Sequence, residues 1–334
     1  MQHSLTYTGD GIYLRVVTDV AQCRLLWGQA LGWLDLDQQK DWYQQWELRA
    51  ACCTAYGAQP WFVTVQLSEG GELVSLIPLQ VNAASEVEFF GGWLAENNVL
   101  RYAPGTEESA IAAMAKVLAG VCAPENADID LDNIKLTNHQ REKLSQFETT
   151  EPHFIATLTA DVDLNAFIAA RFSGRSRKRR RRMADHGLMV EKTVCEGGLE
   201  MPNDAYTQLV TKLVALSKQR FGTESDFSDP QLVQAFLLYP QAKGQYVILS
   251  FMRENELLAV SLAVLHQGTY IFLNSGVAAA DEEVGGGVIA ENIKAAIELG
   301  ADFFDAGFGD SGWKSRWGLQ PHAIWRARSP KVIA

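Results

Sequence analysis

The chain has 334 residues, of which 47% are hydrophobic and 21% are charged, and it carries a formal net charge of −11 at pH 7. This composition is typical of a folded globular protein and excludes a proline-rich, fibrous or highly charged disordered chain. The negative net charge also argues against broad, sequence-independent binding to nucleic acids or other polyanions.

The cysteines, histidines and apolar runs do not indicate a disulfide framework, a metal site or membrane insertion. The five cysteines show no C-x-x-C spacing, and the six histidines show no H-x-x-x-H spacing. The first residues, MQHSLTYTGDGIYLRVV, lack a basic segment followed by an apolar run, and no stretch approaches about 18 uninterrupted apolar residues. We therefore expect a soluble cytoplasmic protein without a metal.

Three strands, a helix and a further strand are predicted in the first half. The runs PWFVTVQL and LVSLIPLQV flank the turn SEGGE, and EVEFFGGW follows them. Short β-branched and aromatic runs bounded by glycine and polar residues are typical of strands. A helix over about 108–119 and a strand near ADIDLDNI complete the order.

A dense basic segment, FSGRSRKRRRRMADHG, lies between the halves at residues 172–187, and seven of the eight positions from Arg175 to Arg182 are basic. Residues 1–160 hold 9 basic and 20 acidic residues, so the chain before this segment is acidic. Any contact between the basic segment and an anion is therefore local. Asp163 and Ser173 are suitable N-caps for two successive helices, and Gly187 is a suitable stop. Because successive helical residues point about 100° apart, the arginines cannot all face a core.

The second half begins with two predicted helices, DAYTQLVTKLVALSKQRFG and SDPQLVQAFLL, the latter with Asp229 as N-cap. QYVILSFMREN, ELLAVSLAVLHQG and TYIFLNSGV then predict an antiparallel meander with its first turn at Glu254 and Asn255. The apolar spacing after Gly287 predicts a helix over 288–300 that ends at Gly300, and ADFFDAGFG predicts a short buried strand.

The order of three strands, a helix and a strand occurs in both halves. Matching elements start about 175–185 residues apart, as Trp61 and Tyr246 do, although the residues share little identity. The pattern predicts an α/β fold with mixed sheets and two similar domains. We place these at residues 1–155 and 156–334, with a basic junction helix at about 163–187.

The motifs from Phe154 onward, and above all FDAGFGDSGWKSRWG, resemble the CelD/BcsL-like acetyltransferases, a branch of the GNAT superfamily. The resemblance covers about residues 40–328 and extends to the related FemAB-type transferases, which contain two tandem GNAT-like domains. It implies transfer of an acyl group from a thioester, usually acetyl-CoA, to an amine on a small molecule, sugar or peptide, by direct attack. It also implies that Tyr270 is a candidate proton donor to the leaving thiolate. Asp305 is a candidate base because it lies near the end of a predicted strand, where an unpaired carboxylate could take a proton directly or through water.

The resemblance further implies an acceptor site at Arg220, Asp310, Trp313 and Lys314, with Arg316 nearby. Asp305 and Asp310 either accept a proton or hold the turn, and Tyr270 is otherwise a core residue. In the family the segment has Tyr before the lysine, where this chain has Trp313.

Gly285, Gly286, Gly287 and Val288 form the candidate binding site for the CoA phosphates. Backbone N–H groups at a helix N-terminus suit a pyrophosphate, and glycine lets it approach closely. Glu282 stands where the family usually has Gln or Arg, flanked by Asp281 and Glu283, and these acids would repel CoA unless they turn outward.

Three functions stay open at this stage. The first is a CoA-dependent N-acyltransferase, and the second is a FemAB-like transferase that uses aminoacyl-tRNA, to which the arginine run would bind. The third is an inactive binding scaffold, which the acidic loop and the lack of a clear base would allow. The arginine run itself is a solvated or inter-domain salt-bridging helix face, a binding site for an anionic donor or acceptor, or a tRNA-binding site.

Overall fold

The computed structural model describes residues 6–9, 11–159, 163–199, 204–278, 282–310 and 312–329, and of Glu282 and Glu283 it describes the backbone alone. The chain divides into two compact units, Met1–Glu151 with Ala323–Ala334, and Pro152–His322. The expectation that three acids beside the glycines repel CoA unless they turn outward concerns Asp281, Glu282 and Glu283. Asp281 lies outside the described residues, and the side chains of Glu282 and Glu283 are not described.

The first unit contains five described helices and eleven described strands before residue 152. The helices are α1 Val20–Leu31, α2 Leu36–Lys40, α3 Trp46–Ala55, α4 Glu107–Leu118 and α5 Asn138–Lys143. The strands are β1 Thr6–Gly9, β2 Ile12–Val17, β3 Gln59–Pro60, β4 Phe62–Gln66, β5 Leu73–Ile77, β6 Leu79–Val81, β7 Glu86–Phe89, β8 Asn98–Val99, β9 Arg101–Tyr102, β10 Asp128–Lys135 and β11 Glu148–Thr149.

The second unit contains the helices and strands that follow. The helices are α6 Leu164–Arg171, α7 Gly174–Ala184, α8 Asp204–Phe221, α9 Pro230–Leu238 and α10 Glu282–Glu298. The strands are β12 His153–Thr157, β13 Met189–Glu196, β14 Gln245–Arg253, β15 Glu256–His266, β16 Thr269–Val277, β17 Phe303–Phe308 and β18 Gln320–His322.

The last described strand, β19 Trp325–Ser329, pairs with β10 and β11 and so belongs to the first unit. The sequence had assigned this segment to the second domain. Local pattern does not reveal the difference, because the pairing joins residues almost 200 positions apart, as Arg328 and Asp130 are. Arg326 and Arg328 both donate hydrogen bonds to Asp130 and tie the strand in place.

The first unit has two sheets, with strand orders β1-β2-β4-β5-β9 and β11-β19-β10-β7-β6-β3. The run LVSLIPLQV, predicted as one strand, is divided at Pro78 into β5 and β6, which belong to different sheets. Proline lacks the N–H that would continue a ladder, so the chain changes sheets there. β7 precedes α4 in the chain and β10 follows it, and these two strands pair in parallel.

The second unit has one sheet, in the order β13-β14-β15-β16-β17-β12-β18. The predicted meander is confirmed as β14, β15 and β16, and its first turn has left-handed residues at Glu254 and Asn255 (φ 50° and 68°). β16 and β17 are parallel, and α10 connects them. This repeats the strand–helix–strand order of the first unit.

Helices cover both faces of this second sheet. Tyr270 and Phe272 of β16 point into a core that includes α10, α7 and α6. Gly276 of the same strand points the other way and lies against the backbone of Leu213 in α8, where a Cβ would meet the Leu213 oxygen at 2.1 Å. Side chains normally alternate across a strand, but the register shift between Phe272 and Asn274 inverts the alternation, so Gly276 lies on the face opposite Tyr270 and Phe272. α8 therefore lies on the face opposite α10.

α7 packs closely on α10 because glycines of α10 leave room for it. A Cβ at Gly286 would lie 2.8 Å from the Met183 sulfur, and one at Gly287 would lie 2.8 Å from Cδ2 of His186. Gly285, one residue earlier, has open space at the corresponding point. Close packing therefore requires Gly286 and Gly287 but not Gly285.

Replacing these glycines with alanine should change stability in opposite directions. We expect Gly285→Ala to raise the free energy of unfolding by about 0.5–1 kcal/mol, because alanine favours the helix. Gly287→Ala should lower it by about 1–2 kcal/mol, because the buried methyl group displaces the His186 ring. Urea denaturation of both variants measures the difference, and a shift of the same sign for both would contradict this account of the α7–α10 contact.

Candidate functional site

The parallel strands β16 and β17 pair over only three residue pairs, Thr269–Phe303, Tyr270–Phe304 and Ile271–Asp305. Beyond Ile271 the two strands separate, although β16 continues to Val277 and β17 continues to Phe308. β15 pairs with the other edge of β16, and β12 pairs with the other edge of β17. The edges that face the gap therefore have no strand partner among the described residues.

The first unit fills the equivalent place. β10 pairs with β7 at Asp128 and Ile129, and then with β8 at Ile134 and Lys135. β19 pairs with the other edge of β10. β7 and β8 therefore pair one after the other with the same edge of β10. The gap between the separated strands thus remains open in the second unit.

A cavity of about 510 Å³ lies beside the part of β16 that no longer pairs with β17, and the segment that follows β17 also lines it. Its lining combines three arginines with aromatic and aliphatic side chains, and it includes no carboxylate among the described residues. The lining residues are Arg180, Met183, Arg220, Phe221, Phe272, Ser275, Val277, Gly285, Gly286, Val288, Ile289, Trp313, Arg316 and Trp317. A concave, mostly apolar site with a few convergent polar groups is typical of small-molecule binding.

Arg180 brings the basic helix α7 into this site. Its side chain is buried (5% exposed), and its guanidinium lies over the rings of Phe172 and Trp317. Nε donates a hydrogen bond of 3.0 Å to the Arg316 carbonyl oxygen. Arg180 therefore adds positive charge to the cavity and holds the backbone that carries Arg316.

Arg220 and Arg316 are the other two cations of the cavity, and both are exposed. Arg220 lies in the last turn of α8, over the ring of Phe221, while Arg316 donates a hydrogen bond from Nε to the Gly312 carbonyl oxygen. No carboxylate in the described part of the chain pairs with either of them. Their guanidinium groups are available to an anionic ligand.

The predicted phosphate-binding glycines lie inside a helix rather than in a loop before it. α10 begins at Glu282, six residues earlier than predicted, so Gly285 is its fourth residue. Three consecutive glycines are typical of a loop, but here packing against α7 overrides that tendency. Gly285, Gly286 and Val288 line the cavity, whereas Gly287 does not and instead faces His186.

Trp313 forms an aromatic wall with Phe272, with the two ring centroids 5.7 Å apart in an edge-to-face arrangement. Both residues line the cavity. Phe272 is the first residue of β16 beyond the paired segment, so this wall lies at the narrow end of the gap. Such a wall excludes water from a group bound at that point.

Lys314 and Asp310 hold the segment that carries Trp313 and do not line the cavity. The buried Lys314 ammonium donates hydrogen bonds to the carbonyl oxygens of Gly307 (3.0 Å) and Phe308 (2.6 Å) at the end of β17. The Asp310 carboxylate accepts hydrogen bonds from the backbone N–H groups of Gly312, Lys314 and Ser315.

Asp305 and Tyr270, the two residues predicted to move protons, point to opposite faces of the sheet. The buried Asp305 carboxylate lies 2.7 Å from Nε2 of the buried His153 and accepts a hydrogen bond from the Gly307 N–H. The Tyr270 hydroxyl is in the core and donates a hydrogen bond of 2.8 Å to Asn292, and burial raises the pKa of Tyr270. Neither side chain lines the cavity.

The basic helix α7 has two functional sides. Arg180 and Met183 face the cavity, and Arg177 donates hydrogen bonds to the carbonyl oxygens of Phe172 and Ala169 at the end of α6. The opposite side is an exposed basic face made up of Arg175, Lys178, Arg179, Arg181 and Arg182. Most of the basic run is therefore exposed on one side of α7, and one arginine of the run reaches the candidate site.

Sequence reasoning missed much of the lining. Phe272, Ser275 and Val277 read as ordinary strand residues, and Arg180 could not be distinguished from its basic neighbours. The sequence offers no signal for these residues, because the short pairing of β16 with β17 depends on contacts between distant residues. Among the described residues, no group of His, Cys, Asp and Glu is arranged to hold a metal, and no helix has the length and hydropathy to span a membrane.

Comparison with known proteins identifies the fold. Residues 170–315 match the family model of the acetyltransferase (GNAT) domain, and no curated protein is similar in sequence. A tandem GNAT protein from the clavulanic acid biosynthesis pathway superposes with a TM-score of 0.53 at 12% identity, covering 94% of this chain and 98% of that one. FemX superposes with a TM-score of 0.53 at 11% identity, covering 93% and 96%.

A third solved structure, a GCN5-related glucosamine N-acetyltransferase region in a fungal multi-domain GH3 β-N-acetylglucosaminidase, superposes with a TM-score of 0.51 at 11% identity, covering 94% of this chain and 38% of that one. At these identities the likeness concerns the fold. The chain thus has a mixed α/β fold of the tandem GNAT type, and the narrower resemblance to the CelD/BcsL branch stays a prediction.

The hydrogen bonds to Asp310 should make the stability of the second unit depend on pH. Burial raises the pKa of Asp310, but hydrogen bonds from the Ser315 side chain and from the N–H groups of Ser315, Lys314 and Gly312 outweigh this effect and hold the pKa below its ordinary value. A carboxyl group whose pKa is lower in the folded state stabilises the fold at neutral pH, and this contribution is lost as the pH falls through the folded-state pKa.

We therefore expect Asp310→Ala to be less stable than the wild type at neutral pH, with the difference shrinking in acid. Asp310→Asn is the matched control, because it retains an acceptor oxygen without a titratable charge. Thermal melts of all three proteins across the acidic range measure the effect. A difference between wild type and Asp310→Asn that does not change with pH would contradict this role of the carboxylate.

Proposed function

We propose that this protein transfers an acyl group from acyl-CoA, with acetyl-CoA as the first donor to test, to an amine acceptor on a small molecule, sugar or peptide. The observation that carries the proposal is the open gap between β16 and β17, lined by arginines and aromatic side chains, in a domain that matches the GNAT acetyltransferase model. We assign this chemistry to the second unit.

In this proposal the acyl carrier lies along the free edge of β16. The backbone N–H and C=O groups beyond Ile271 that face the gap suit an amide-containing arm, since an extended ligand can pair with an open strand edge. The carrier phosphates lie toward Gly285, in the first turns of α10, with Arg180 beside them. Helix N-terminal N–H groups and arginine both favour phosphate.

The reaction itself is a single exchange at the acyl carbon. The amine nitrogen attacks the thioester carbonyl carbon, a C–N bond forms, the C–S bond breaks, and CoA leaves as the thiol after it receives a proton. The lining offers Ser275 but no carboxylate or imidazole in the described residues, so the proton lost by the amine passes to water. The chain contributes mainly by positioning the two reactants and excluding solvent around them.

The exposed basic face of α7 favours a second candidate, an aminoacyl transferase that takes its acyl group from aminoacyl-tRNA. This face presents five cationic side chains, and Arg180 of the same helix lines the cavity. An RNA phosphate backbone on the exposed face would bring its acylated end toward the gap. Affinity that falls steeply with salt is the mark of such binding, because each neutralised phosphate releases counterions.

The proposal is tested by the thermal midpoint with and without acetyl-CoA. A ligand at about 100 times its Kd stabilises the fold by about 2.7 kcal/mol, which gives a measurable shift. Gly285→Glu should abolish this shift, because it places a carboxylate in the cavity at a position where a Cβ meets nothing within 4 Å. Gly285→Gln, of the same size but neutral, should retain part of it.

The same measurement separates the two candidates. If no acyl-CoA shifts the midpoint of the wild type, the CoA proposal fails. If charged tRNA then binds with a steep salt dependence that Lys178→Gln with Arg182→Gln weakens, the second candidate takes its place.

A further inference from the structure

Arginines are the charged side chains in the described lining of the cavity, and a neutral amine acceptor would not require them. Three guanidinium groups from three separate elements, α7, α8 and the turn after β17, converge on one space of about 510 Å³. No carboxylate of the described residues lines that space. An anion bound between arginine side chains can accept charge-assisted hydrogen bonds from more than one guanidinium group.

One of the three arginines, Arg220, lies on a different side of the sheet from the region proposed for the donor phosphates. Arg220 lies in the last turn of α8, on the face of the sheet opposite α10, whereas Gly285 lies in α10. The gap between β16 and β17 interrupts the sheet, so a ligand on the α8 side can meet a thioester held on the α10 side. Arg220 therefore belongs to the approach that an acceptor would use.

Arg316 is held in place for the same approach. Its backbone carbonyl oxygen accepts the hydrogen bond from the buried Arg180, and its Nε is fixed on the Gly312 carbonyl oxygen. These contacts leave the terminal guanidinium nitrogens of an exposed side chain beside the cavity. A guanidinium anchored in this way suits a carboxylate or a phosphate, to which it can donate two hydrogen bonds.

We infer that Arg220 and Arg316 form an anion subsite, and that the acceptor is an amine that carries its own carboxylate or phosphate group. The inference rests on the proposed function for the identity of the reacting amine. Phe221, which is 47% exposed beside Arg220, adds an apolar contact next to this subsite. The donor phosphates remain with Gly285 and Arg180.

Matched pairs of amines test the inference through thiol release from acetyl-CoA. Phosphoethanolamine is compared with ethanolamine, and β-alanine is compared with β-alanine amide. We expect the anionic member of at least one pair to have a kcat/KM at least about tenfold higher, the scale of one hydrogen bond to a charged group. Arg220→Gln with Arg316→Gln should reduce the preference for the anionic member of the pair to about twofold or less.

Arg253→Gln is the matched control, because it removes one positive charge from an exposed strand end of the same unit. It should retain the full discrimination. Equal use of the anionic and neutral amines by the wild type would overturn the inference. A higher KM for acetyl-CoA in the double variant, with discrimination unchanged, would assign the arginines to the donor and would also overturn it.

Binding without the donor separates this inference from the proposed function. Phosphoethanolamine and β-alanine alone should each raise the thermal midpoint of the wild type and of Arg253→Gln, but not that of the double variant. If this pattern appears without any thiol release, the anion subsite stands and the CoA-dependent reaction fails. If no anionic amine binds or is preferred, the subsite is rejected, whatever the donor.

Discussion

The candidate site depends on the short pairing of two parallel strands. β16 and β17 pair over three residues and then separate, each held on its outer side by a different neighbour, β15 or β12. A register shift in the β15–β16 ladder, between Leu262 and Ala263, falls beside the point of separation. An irregularity of this kind bends a strand and increases its twist, which directs the end of β16 away from β17. The part of β16 that lines the cavity, including Phe272 of the aromatic wall, lies beyond the point of separation.

The α7–α10 contact then determines the charge of the gap. Gly286 and Gly287 reduce the intrinsic helix tendency of α10, but they allow Met183 and His186 to approach its backbone. That approach places Arg180 beside the cavity and ties it to the turn that carries Arg316. The glycine run resembles a phosphate-binding loop, and the basic run resembles a nucleic-acid-binding segment. In the structure the two pack against each other and place a cationic helix beside the site.

Local signals in the sequence predicted the elements of the second unit well. Alternating apolar residues and the turn at Glu254 and Asn255 identified the meander, and Asp229 was confirmed as the cap of α9 through its hydrogen bond from the Gln231 N–H. The rest depends on contacts between distant residues. No local pattern assigns β19 to the first unit, and none shows that α10 begins before the glycines, at Glu282.

The site was harder to predict than the fold for the same reason. Arg220, Trp313, Gly285, Gly286 and Val288 were named from motifs and do line one cavity. Motif position alone could not show that the buried side chains of Tyr270 and Asp305 point to opposite faces of the sheet. Both are engaged by partners far away in sequence, Asn292 and His153, respectively.

The most direct test of the account is hydrogen exchange across the second unit with and without acetyl-CoA. If the donor lies along the open edge of β16, amides between Phe272 and Val277 and those in the first turns of α10 should exchange more slowly when acetyl-CoA is bound. Protection confined to other segments, or no protection at a saturating concentration, would contradict the claim that the gap between β16 and β17 is the donor site.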